Sequence, residues 1–230
     1  MDNIIKIYHR FTLSNVKLRV LPTILMVQNI ILSLIVLIYA NYIILNGRIN
    51  GEYEYEQIRF FYSFVIIILF GIICLVSPYL SANSINKLVK NNVIEHMLSV
   101  NIKISDVTFA AFLRGLFSTI VIFTSALPIS CISFYFGGFG VAKFLKLIVC
   151  LMLLSIFLCS ICVFISSNVV DLNFSMILAY IICAFVTAIN VYFYRALIVN
   201  NFLLICYTVL VITISLVLIA LSKRGIVFGV

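Results

Sequence analysis

Residues 144–166 read FLKLIVCLMLLSIFLCSICVFIS. Lys146 is the one charged residue among them, and every position from Leu147 to Ser166 is apolar, cysteine or serine. A hydrocarbon core ~30 Å thick needs roughly 20 such residues in a helix. A helix is the required element, because a single strand cannot satisfy its backbone N–H and C=O groups in lipid. This stretch therefore reads as a transmembrane span.

Working outward, the same pattern recurs on both sides. Downstream, a short loop with Asn168, Asp171 and Asn173 leads to a span over 174–194. Arg195, Asn200 and Asn201 separate it from a last span over 202–221, and Lys223 and Arg224 follow. Upstream, the turn Gly137-Gly138-Phe139-Gly140 joins a span over 109–136 that contains Pro128. Before it lies a polar stretch, 81–106, in which Asp106 reads as the N-cap of the next span. A span over 60–80, a loop with Glu52, Glu54 and Glu56, and a span over 21–45 complete the set. Pro22 suits the first turn of that first span, where no amide donor is needed. The fold class expected is an all-α membrane protein of six transmembrane helices, with residues 21–230 as one transmembrane domain.

The whole composition agrees. Of the 230 residues, 65% are hydrophobic and 10% charged, where a soluble domain has about half and a quarter. The mean hydropathy is +1.28. A soluble fold of this size could not bury so much apolar surface. The apolar run after Arg19 is too long for a signal-peptide core and has no A-x-A-like site, so it reads as a retained span. Residues 1–20 read as an interfacial amphipathic helix, with Ile4, Ile7, Tyr8, Phe11 and Leu18 on one side and Lys6, Arg10 and Lys17 mostly elsewhere.

The net charge of +8 does not point to nucleic acid, since the basic residues sit between apolar runs and carry no binding motif. They report orientation instead. With the N-terminus in the cytoplasm, Lys6, Arg10, Lys17, Arg19, Lys87, Lys90, Lys103, Arg114, Lys223 and Arg224 fall inside. Arg48, Arg59, Lys143, Lys146 and Arg195 fall outside. That excess favours both termini in the cytoplasm, and the expected location is the cell membrane.

Catalytic and metal chemistry have few candidates. There is no phosphate-binding G-x-x-x-x-G-K-[ST], no H-E-x-x-H and no G-x-S-x-G. His9 and His96 lie in different polar segments. The C-x-x-C of Cys159 and Cys162 lies mid-span without a second pair, and reads as two thiols on one helix face. Pumps place ionisable groups mid-membrane, and this chain has almost none. Arg114, near the start of the third span, reads as a snorkelling cation or a charge at the mouth of a pathway. Gln28, Asn29 and Asn190 read as partners in interhelix hydrogen bonds. Uphill transport would draw its energy from another chain.

Residues 83–106 hold the most shape and charge. Val89, Val93, Met97 and Val100 recur at helical spacing beside Lys87, Lys90, Glu95, His96 and Lys103. Such a helix lies on the bilayer or fits a groove on a partner protein. The layout resembles the type-2 ABC exporter permease family: an interfacial N-terminal helix, six spans, and a cytoplasmic coupling helix between spans two and three. The local resemblance covers 77–140. It runs through Ser77-Pro78-Tyr79 and through Val93-Ile94-Glu95-His96-Met97-Leu98, which is similar to the family's Thr-Leu-Glu-x-Leu-Leu. It ends at Leu127-Pro128 and Phe136-Gly137-Gly138. The family's Glu-Arg pair before that run is replaced by Leu88, Val89 and Lys90, and its following proline falls near Asn101.

The resemblance implies a permease subunit of an ATP-driven exporter, paired with a second permease chain and docked on ATP-binding cassette subunits. ATP and Mg would bind the partner, with no cofactor on this chain. Glu95 is the leading docking residue, with Lys87, Lys90, Met97 and Leu98 beside it. Ala179, Ala184 and Ala188 on the fifth span are small residues suited to a dimer interface. An amphipathic or hydrophobic cargo, a peptide among the candidates, fits spans with few fixed charges. A membrane scaffold or assembly protein without transport activity would have the same spans and no ATP-binding partner.

Overall fold

A computed structural model describes residues 20–50, 55–90, 104–135, 140–169 and 171–228. They form six helices: α1 (Val20–Asn50), α2 (Tyr55–Lys90), α3 (Ile104–Tyr135), α4 (Val141–Asn168), α5 (Leu172–Val199) and α6 (Asn201–Phe228). No strand occurs among the described residues. Each helix holds a stretch long and apolar enough to cross a bilayer: Leu21–Ile49, Ser63–Ala82, Ser105–Cys131, Val141–Asn168, Asn173–Val199 and Asn201–Ser222. The described residues are all-helical apart from short connections, and the chain is a multi-pass membrane protein. The expected interfacial helix over 1–20 lies outside the described residues, apart from Val20, which opens α1.

α4 is the centre of the bundle and packs against α2, α3, α5 and α6. Two thirds of its spanning stretch, 67%, is buried, against 17% for α1 and for α6. Leu147, Leu151, Leu154 and Leu158 recur at spacings of four, three and four, and all four are enclosed. Lipid tails are as apolar as leucine, so close packing rather than escape from water holds such helices together. Small side chains permit that packing. Ser155, Ser160 and Ser166 are buried on α4, and each donates to a carbonyl of its own helix at 2.7–3.1 Å. Their hydroxyls are thereby satisfied without a neighbour.

The outer faces belong to α1, α5 and α6. Met26, Leu37 and Ile38 on α1, Phe185 and Tyr192 on α5, and Phe202 and Ile205 on α6 are all exposed. Exposed large apolar side chains on three long helices are what a protein dissolved in lipid requires.

Several helix ends differ from the sequence reading. α2 runs on to Lys90 rather than stopping at 80. α3 begins at Ile104, so Asp106 lies inside its first turn and is not an N-cap. A carboxylate there still favours the positive end of the helix dipole. α5 continues through Arg195 to Val199, and Asn200 alone turns the chain into α6. The Asn200 amide donates to Ala196 O at 3.0 Å, and its Oδ1 accepts from Phe202 N at 3.0 Å. One residue thus closes one helix and caps the next. Asp171 opens α5 the same way, its Oδ1 accepting from Asn173 N at 3.0 Å.

Candidate functional site

The stretch after residue 80 is the part of the second helix that its composition placed outside the membrane. Ser81, Ala82 and Ile85 are fully enclosed. Ile85 packs in a small cluster with Ala111 and Phe112 of α3, Cys159 and Val163 of α4, and Ile219 of α6. Four helices therefore meet around the continuation of α2. The approach of α3 is close. A Cβ on Gly115 would overlap the Ser81 hydroxyl, and would stand 3.0 Å from Ser81 Cβ and 3.3 Å from its Cα.

Lys87 and Lys90 lie on the last two turns of α2, beyond this cluster. Glu95, Met97 and Leu98 lie outside the described residues. Arg114 sits on α3 next to Gly115 and is half-buried. With α3 starting at Ile104, it stands almost three turns into the helix, deeper than the sequence reading put it. Among the described residues of the six spanning stretches, it is the charged side chain farthest from a stretch end.

On α5 the three alanines divide. Ala179 is wholly buried within the chain, whereas Ala184 and Ala188 are exposed one turn apart. The structure brings the latter two together on an open face and turns Ala179 inward.

A second polar group lies at the opposite end of the bundle, where the sequence reading gave Lys146 and Arg195 only as charges on the outer side. Lys146 Nζ of α4 donates to Ile198 O at 3.1 Å, satisfying one of the last carbonyls of α5. Arg195 Nη2 donates to Ser63 Oγ of α2 at 3.3 Å, and its Nε donates to Tyr194 Oη at 3.1 Å. Its Cζ lies 5.9 Å from the Tyr194 ring centre. Nearby, Tyr207 Oη of α6 donates to Asn190 Oδ1 of α5 at 2.5 Å. These contacts fasten α5 to α4, α2 and α6. The signal available in the sequence was position: Lys146 is the third residue of the span read over 144–166, where a long side chain reaches a helix end.

Gln28 and Asn190 take the interhelix role expected of them. Gln28 Nε2 donates to Ile122 O, from α1 to α3, at 3.1 Å. Among the described residues no group of three or more His, Cys, Asp or Glu is placed to hold a metal ion. No family model, curated protein or solved structure matches this chain.

Proposed function

We propose that this chain is the membrane-spanning permease subunit of an ATP-driven exporter of the ABC class, set in the cell membrane with both termini in the cytoplasm. One observation carries the reading. α2 leaves its apolar stretch at Ala82 and continues unbroken to Lys90, clamped at Ile85 by α3, α4 and α6. At about 1.5 Å per residue, the eight residues from Ala82 to Lys90 extend ~12 Å beyond that stretch. A helix held this way passes a push at its far end directly to three spans. The residues that follow, Glu95, Met97 and Leu98, are those that resemble a coupling helix.

The drive comes from outside the chain. Only Arg114 among the described spanning residues is charged well away from a stretch end, which leaves a proton or ion relay without its parts. ATP, with Mg, binds the partner cassette and favours one arrangement of the spans over the other by its difference in affinity. A second permease chain pairs through the open alanine face of α5. The cargo is amphipathic or hydrophobic, with a peptide as the leading candidate.

The test is purification of the tagged chain from its native membrane in mild detergent, followed by an ATPase assay with and without Glu95→Ala. A stoichiometric ATP-binding partner, with ATPase lost or uncoupled from cargo in the variant, supports the reading. A chain that purifies alone from several detergents overturns it in favour of a scaffold.

A further inference from the structure

All seven cysteines are free thiols, and two of them meet. Cys162 Sγ on α4 and Cys183 Sγ on α5 lie 3.4 Å apart, and both residues are fully enclosed. A disulfide bond is about 2.05 Å long, so the sulfurs need to close by only about 1.4 Å. The two helices are packed together and follow one another in the chain, α4 ending at Asn168 and α5 starting at Leu172. Cys159, one turn earlier on α4, has a different neighbour: its Sγ lies 3.8 Å from Thr119 Oγ1.

The surroundings select the chemistry. The pair sits in the main core with Leu158, Ala179 and the half-buried Cys74. Two thiols without a third ligand are a poor metal site, in keeping with the absence of any metal-holding group among the described residues. Both thiols are closed off by protein within the spans, so an oxidant meets them only as the α4–α5 contact opens locally, and one dissolved in the surrounding hydrocarbon is better placed to enter than one carried in water.

We propose that Cys162 and Cys183 are a reversible interhelical disulfide site, oxidised by a lipid-soluble two-electron acceptor of the quinone class. Two S–H bonds break and one S–S bond forms. The two electrons and two protons pass to the quinone, which becomes hydroquinone, and a dithiol reductant reverses the reaction. The bond ties the central helix to the peripheral helix that carries Ala184 and Ala188, so its formation restrains α5 against α4. This holds whether or not the chain is a permease.

The experiment uses the full chain in liposomes, treated with decylubiquinone or, separately, with diamide. Remaining thiols are blocked with N-ethylmaleimide under denaturing conditions, and peptides are mapped by mass spectrometry without reduction. The expected result is a peptide pair joined through Cys162 and Cys183 in most of the quinone-treated chain, lost on adding dithiothreitol. Cys183→Ser should abolish it, while Cys150→Ser and Cys206→Ser should leave it. Mapping the unaltered chain needs no variant to fold. Both thiols remaining alkylatable after either oxidant, or Cys162 joined to another cysteine, overturns the proposal. A crosslink with diamide but none with quinone overturns the choice of oxidant.

Discussion

Gly115 shows how one missing methyl group sets a helix contact. Its Cβ-less surface faces Ser81, and any side chain there would stand 3.3 Å from the Ser81 backbone Cα. Rotating the serine hydroxyl away relieves one overlap but not that one. We expect Gly115→Ala to destabilise the chain despite the better helix propensity of alanine, and Gly115→Val to do so more strongly. The cost should be about 1–3 kcal/mol, the usual range for overpacking. Gly71 is the control, because nothing lies within 4 Å of its would-be Cβ. There alanine should be neutral or stabilising by up to ~1 kcal/mol. Thermal unfolding in detergent, followed by loss of the monodisperse peak, reads both. Equal midpoints for Gly71→Ala and Gly115→Val would mean that α2 and α3 do not approach this closely.

At the scale of the helix, α2 carries both the lesson and the next prediction. The existence of six spans was legible because charge is absent over ~20 residues at a time, which lipid demands of any helix. Where each helix ends was less legible. Ser81, Asn83, Ser84 and Asn86 read as a polar stretch, yet α2 passes through them. Small and polar residues continue a helix when neighbouring helices cover it, and here Ala82 and Ile85 are enclosed. Arg195 misled in the same way. It reads as a loop charge, but Ser63 and Tyr194 accept its hydrogen bonds and α5 runs past it. Inward faces were not legible either. In a helix that is apolar all round, the pattern of leucines on α4 carries no contrast. The small residues carried more: Ser155, Cys159, Ser160 and Cys162 all turned out buried. Shortening the clamp on α2 is the corresponding test. Ile85→Val should cost about 0.5–1.5 kcal/mol and Ile85→Ala about 2–5 kcal/mol in the same unfolding assay. If the chain works in the proposed complex, Ile85→Ala should leave the proposed ATP-binding partner attached while cargo-stimulated ATPase falls several-fold. Full coupling in Ile85→Ala would remove the clamped helix as the lever.

For the molecule as a whole, the proposed orientation and the proposed pairing each have their own probe. The turn at Asn200 and the α4–α5 connection stand at opposite ends of the bundle, since α5 runs between them. In a chain cleared of native cysteines, Val199→Cys should react with a membrane-impermeant maleimide added to intact cells. Asn168→Cys should react only after the membrane is opened. The reverse pattern would invert the charge-based topology. The proposed pairing would use the lipid-facing surface. Ala184 and Ala188 leave a shallow strip on α5 among large exposed side chains such as Phe185, Ile181 and Tyr192. Small residues one turn apart let two backbones approach, where dispersion contacts rather than solvent drive association. Replacing both by phenylalanine should fill the strip and at least halve energy transfer between donor- and acceptor-labelled copies in liposomes. Because both positions are exposed in the single chain, its unfolding midpoint should stay where it was. Ala179→Phe should do the opposite, since Ala179 is buried within the chain and the larger ring would disturb the bundle itself. Energy transfer that survives the double substitution would move the interface off α5, to the equally open faces of α1 or α6.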